Sequence, residues 1–100
     1  RGNFPKLGGL YFMNINTDYI LIRDAKRGNT KAVERIIRKY YVSIFDFCRY
    51  HSNDVYTAED LTQEVFLTFI KGIHQYVHNG KLLNYLYTIA RNKCIDEKKE

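Results

Sequence analysis

Pro5 is the only proline in this chain. From Lys6 to Glu100, therefore, no residue breaks a helix by lacking a backbone donor. Apolar residues return every three or four positions, and nowhere do they alternate with polar ones for long enough to make a strand. Gly28-Asn29, Ser52-Asn53-Asp54 and Asn79-Gly80 are the internal break signals. Together these features predict an all-α fold: a compact helical bundle of three main helices plus a short N-terminal helix.

The first helix is expected over 17–27, with Tyr19, Ile20, Ile22 and Ala25 as its apolar face. The second starts at Asn29 or Thr30, either of which can cap free N–H groups, and runs to about Tyr50. Its stripe of Val33, Ile36, Ile37, Tyr40, Tyr41, Ile44, Phe45 and Cys48 is wide, which suits a central position. The third is expected over 57–73. Thr57 and Asp60 have capping-box spacing, and Glu59 and Asp60 fall where a helix dipole favours negative charge. Leu61, Val65, Phe69 and Ile73 form its ladder, widened by Leu67 and Ile70. The fourth follows Asn79-Gly80 and buries Leu82, Leu86, Ile89 and Ala90.

A chain of 100 residues makes one domain. Residues 1–12 read as a flexible leader foreign to the natural gene, with Met13 as initiator and the domain over 13–100. A net charge of +5 favours an anionic partner, nucleic acid first and a membrane surface second. No apolar run reaches the length of a membrane span, so insertion is not expected. Cys48 and Cys94 lack the spacing of a disulfide framework, which fits a reducing, cytoplasmic setting.

Catalysis finds little support. Ser43 and Ser52 sit in no nucleophile-elbow context, and Glu59, Asp60 and Glu64 read as an exposed helix start rather than an acid/base cluster. Cys48, His51, His74 and His78 have residue types and spacings that zinc accepts, but nothing makes the two pairs converge. No metal site, cofactor or catalytic residue is therefore assigned. Tyr76, Tyr85 and Tyr87 are interleaved with His78, Asn79, Lys81 and Asn84. Rings that stack bases, amides that bond base edges and cations that hold phosphate are the ingredients of a single-strand site. Half-buried core tyrosines explain the same rings equally well.

The segment AEDLTQEVFLTFI, a short loop and then YLYTIARNKCID resemble region 2 of a bacterial sigma factor of the sigma-70 family, most closely the extracytoplasmic-function group. LIRDAKRGNTKAVERIIRKYY resembles that group's opening helices. The resemblance covers 18–98. It implies a sigma factor region 2 domain, not an enzyme, that takes part in transcription initiation. By position, Asp60, Gln63 and Glu64 would dock on the coiled coil of the largest subunit of core RNA polymerase. The loop and fourth helix would recognise and help melt the −10 element of promoter DNA. A flipped non-template base would enter a pocket at His78, Asn79, Gly80 and Lys81. Asn84, Tyr85, Thr88, Arg91 and Asn92 would continue the DNA face, with Arg91 and Lys93 on phosphates. An anti-sigma factor as regulator is implied too.

Tyr85 stands where this group usually has tryptophan. The family's −35-reading helix-turn-helix domain is not in the sequence, so one domain of a longer protein is expected. Two rivals remain at this stage: a helical protein-binding adaptor and a stand-alone helix-turn-helix DNA-binding regulator.

Overall fold

The computed structural model describes residues 17–99, and they form helices joined by short connections, without a strand among them. The expected leader and Met13 lie outside the described residues. The first helix, α1, covers 17–26. It is followed by α2 (Thr30–Tyr50), α3 (Val55–Lys71), a 3-10 turn over Ile73–Gln75, and α4 (Leu82–Lys99). Helices α2, α3 and α4 each pack against the other two.

The core is where their apolar stripes meet. Ile36, Ile44 and Cys48 of α2 lie against Leu61, Val65, Phe66 and Phe69 of α3 and Leu82, Leu86, Ala90 and Cys94 of α4. Burying one large aliphatic or aromatic side chain is worth roughly 1.5–3 kcal/mol, so these residues dominate the fold's stability. Thr62 is fully buried among them, and its hydroxyl donates to the Ala58 carbonyl at 2.7 Å. Cys48 and Cys94 are free, buried thiols. Burial, and then the neighbouring Cys48 sulfur, push Cys94 up to about 11. Both cysteines pack as small apolar groups.

Local chemistry fixes the helix ends. Asn29 caps α2, its Oδ1 accepting from Lys31 N at 2.9 Å and Ala32 N at 3.2 Å. Gly28 supplies the φ of +94° that the α1–α2 turn demands. The start of α3 differs from expectation. Asp54, not Thr57, is the cap, accepting from Thr57 N at 2.8 Å and from the Thr57 hydroxyl at 3.2 Å. A carboxylate three residues upstream takes the free N–H that the Thr57–Asp60 box required. Glu59 and Asp60 consequently fall beyond the first turn, where the dipole contributes little. At the other end α3 stops at Lys71, and Ile73 belongs to the 3-10 turn while still being buried.

Helix α1 also presents a different face. Leu21, Ile22 and Ala25 are buried, whereas Tyr19 and Ile20 are exposed. The phase is set by Asp18, which is buried and paired. Its carboxylate accepts from Lys39 Nζ at 2.6 Å and from the Tyr40 hydroxyl. Burial, and then that aspartate, hold the Tyr40 phenol far above its ordinary range.

Candidate functional site

The connection between α3 and α4 leaves the core at Tyr76. That residue is only 6% exposed, and its ring packs against Phe69 (5.7 Å) and Tyr85 (4.6 Å). Burial raises its phenol, with smaller contributions from Asp18 and Tyr85. Beyond Tyr76, Asn79 folds its side chain back so that Oδ1 accepts from Lys81 N at 3.1 Å, an Asx turn. Gly80 sits at φ +87°. A Cβ there would meet no atom within 4 Å, so the glycine is needed for its backbone conformation and not for space. The Lys81 carbonyl then accepts from Tyr85 N at 3.1 Å and opens α4.

Between this loop and the first turns of α4 lies an open cleft of about 390 Å³, lined by Gln75, Tyr76, Val77, Asn79, Lys81, Asn84, Tyr85 and Thr88. Its floor is aromatic, Tyr85 being 38% exposed above Phe69 at 6.1 Å. Its rim carries amides and one cation. The group of residues singled out in the sequence thus converges, apart from a few members. His78 is half-buried beside the cleft, where its Nδ1 shares a 3.0 Å hydrogen bond with the Tyr76 hydroxyl. Its Nε2 is buried without a hydrogen-bond partner. Tyr87 is partly buried against the core, its ring 5.5 Å from Phe47.

At 100° per residue, Asn84, Thr88 and Arg91 share one exposed side of α4, with Tyr85 and Asn92 on its flank. Lys93 does not join them. It lies about half a turn from Asn84 and faces α3, with Nζ 4.0 Å from Glu64 Oε1. The expected second phosphate cation therefore points at a neighbouring helix. Ion pairs of this length between partly exposed groups contribute little stability.

On α3, Asp60, Gln63 and Glu64 are all exposed, and helical spacing puts them on one stripe. Leu67 continues that stripe. The sequence placed it with the core, but it is 52% exposed. An apolar groove of about 210 Å³ adjoins it, lined by Ile37, Tyr41, Gln63, Phe66, Leu67 and Ile70. The Tyr41 and Phe66 rings stack there, 6.3 Å apart. An exposed leucine and an aromatic groove rimmed by acidic and amide groups share the apolar-centre, polar-rim layout of protein interfaces. Exposure of Leu67 was the feature that periodicity missed, because position 67 lies at the margin of the stripe.

The zinc-compatible residues do not assemble. Cys48 lies in the core near Cys94, and the His51 ring packs on Phe47 at 4.5 Å. Among the described residues, no group of three or more His, Cys, Asp or Glu is placed to hold a metal ion. Nor is any helix among them long and apolar enough to cross a membrane.

Comparison with known proteins adds an independent line. The family Sigma-70 region 2 matches residues 36–100. The chain is 33% identical over 75 residues to the ECF RNA polymerase sigma factor SigW of Bacillus subtilis, covering 75% of this chain and 40% of that protein. It is 36% identical over 76 residues to the ECF RNA polymerase sigma factor SigC of Mycobacterium tuberculosis, covering 76% and 40%. Similarity to BldN of Streptomyces coelicolor, another ECF RNA polymerase sigma factor, is 32% over 77 residues, covering 76% and 29%. The chain thus spans two fifths or less of the length of these curated relatives. No solved structure matches it.

Proposed function

The chain belongs to the sigma-70 region 2 family, in its extracytoplasmic-function group, and from that premise we propose a two-sided role in transcription initiation. The α3 face docks on core RNA polymerase, and the cleft at the head of α4 holds an unpaired base of the −10 element. The role is one of binding and positioning, with no chemical step.

One observation carries this reading: the cleft built by Tyr76, Asn79, Lys81, Asn84, Tyr85 and Thr88. A base taken out of the stack costs a few kcal/mol, recovered by stacking and by hydrogen bonds to its edge. Tyr85 offers a partly exposed ring for the first. The amides of Asn79 and Asn84 can both donate and accept, which suits the second. Lys81 stands at the mouth for a phosphate, and Arg91 lies about two turns along α4 from Asn84 for another. Gly80 and the Asn79 turn hold the loop in shape. His78 acts from outside the cleft, through the Tyr76 hydroxyl. Lys93 is left out of this face because it turns to Glu64.

Towards the other partner, Asp60 and Glu64 offer two carboxylates and Gln63 an amide to a basic coiled coil, steering the encounter. Leu67 and the Tyr41–Phe66 groove supply the apolar contact that gives such a face its affinity. An anti-sigma protein that covers these two surfaces would silence both functions at once.

The test uses the chain bound to core RNA polymerase, with fluorescently labelled oligonucleotides. The non-template −10 strand should bind more tightly than its complement or the closed duplex. Equal affinity for all three would refute the cleft as a single-strand site. Separately, Asp60→Lys with Glu64→Lys should abolish polymerase capture while helix content by circular dichroism stays unchanged. Normal capture would refute the docking face.

A further inference from the structure

We propose that Lys26, on the N-terminal helix, is a positioning residue that sets the shape of the base cleft. The inference rests on the cleft reading above. Lys26 Nζ donates to the main-chain carbonyl of Tyr76 at 2.7 Å, across 50 residues of sequence. Tyr76 is where the connection leaves its 3-10 turn, with extended backbone at φ −72°, ψ 128°. From that point the chain enters the cleft wall at Val77.

The loop is therefore pinned at two ends. Downstream, the Asn79 turn and the Lys81–Tyr85 backbone bond fix it to α4. Upstream, a charged ammonium on a peptide carbonyl fixes it to α1. Hydrogen bonds with one ionised partner are short and about twice as strong as neutral ones. Losing this one leaves Tyr76 held on one side only, by its N–H to the Ile73 carbonyl at 3.1 Å, and loosens the ring that touches Phe69, Tyr85 and His78. Tyr85, the stacking surface, rests on that ring, so its position follows.

Attachment of α1 to the bundle does not depend on Lys26. Leu21, Ile22 and Ala25 bury it, and Asp18 binds Lys39 and Tyr40. Removal of the ammonium should spare the fold and blur the site. The chemistry also predicts which replacement rescues. Arginine keeps a charged donor of similar reach, whereas methionine keeps only the apolar stem.

The experiment compares the chain, Lys26→Met and Lys26→Arg, each bound to core polymerase. The probes are the −10 non-template strand and the same strand made abasic at one position at a time. In the unmutated chain, one abasic position should weaken binding by about 5- to 150-fold, the range of one stacked base. Absence of any such position would refute the cleft itself, whatever Lys26 does. Given that position, Lys26→Met should cut the discrimination at least about threefold, with salt dependence unchanged and the thermal midpoint lowered by no more than about 10 °C, the share of one charge-assisted hydrogen bond. Lys26→Arg should restore it. Full discrimination in Lys26→Met would overturn the proposal. So would a collapse of its thermal midpoint, which would make Lys26 a residue that merely holds the fold.

Discussion

Lys81, Arg91 and Lys93 have the same charge, and the structure places them differently. Lys81 and Arg91 are exposed and form no ion pair among the described residues, whereas Lys93 is half-buried and faces Glu64. A cation seated on a phosphate of single-stranded DNA displaces a condensed counterion. Each such contact contributes about −0.7 to the slope of log affinity against log salt. Lys81→Ala and Arg91→Ala should therefore each flatten the slope by about 0.7. Between 50 and 200 mM salt, a fourfold change, each variant's deficit relative to the unmutated chain should shrink by about 2.6-fold, and that of the double variant by about sevenfold. Neither substitution touches the fold. Lys81 contributes only its backbone to the Asn79 turn, and Arg91 is on the outer side of α4. Lys93→Ala should leave the slope within error. The assay is fluorescence anisotropy of the labelled non-template −10 strand with the polymerase-bound chain, titrated at four or more salt concentrations. Unchanged slopes for both Lys81→Ala and Arg91→Ala would refute the DNA face. A flattened slope for Lys93→Ala would refute its assignment to α3.

Two further outcomes follow from local geometry. Gly80→Ala places a side chain at φ +87°, which costs about 1–2 kcal/mol. Because the cost falls on a surface loop, it should appear as weakened strand binding with a small loss of thermal midpoint; unaffected binding would mean that the loop shape is irrelevant. Cys94 is held up to about 11 by burial and its neighbour Cys48, against an ordinary value of 9.0. At pH 8 its thiolate fraction, and hence its alkylation by iodoacetamide, should be about a hundredfold below that in the unfolded chain. Since the folded state holds this proton more tightly, the associated stability is complete below pH 9. It is lost as pH rises towards 11. Urea midpoints measured across that window should fall less for Cys94→Ala, and an identical fall would remove Cys94 as a cause.

Much of the fold was legible because the main helices are long enough for their periodicity to be unambiguous. The α2 cap is Asn29, one of the two candidates the local pattern offered, and the α2 stripe and the Leu61–Val65–Phe69 ladder are where that pattern put them. Errors arose where a non-local contact, or a cap one turn upstream, outweighed a short pattern. In α1 only ten residues are described, and two phases fit them. Pairing of Asp18 with Lys39 and Tyr40, more than 20 residues away, selects the phase that hides an acid. At the head of α3, the break signal Ser52-Asn53-Asp54 contained the cap itself, and the Asp54 carboxylate accepts the Thr57 N–H.

The candidate site was legible in composition but not in orientation. Asn79, Lys81, Asn84, Tyr85 and Thr88 converge because the tight Asn79-Gly80 turn brings the loop back over the first turns of α4. Lys93 and His78 had the right residue types and point elsewhere, since helical phase and the Tyr76 hydroxyl decide their direction. Leu67 and Lys26 carried no local signal at all. A lysine looks the same in sequence whether it is solvated or meets a carbonyl 50 residues away, and an apolar residue at the margin of a stripe looks the same whether it is buried or exposed.

The claim that the cleft traps one melted base is tested most directly by placing 2-aminopurine at each −10 position of the non-template strand in turn, with the polymerase-bound chain present. A single position should change fluorescence sharply as it leaves its neighbours, and Tyr85→Ala together with Asn84→Ala should abolish that change. A uniform response at every position, or one unaltered by the two substitutions, would contradict the account.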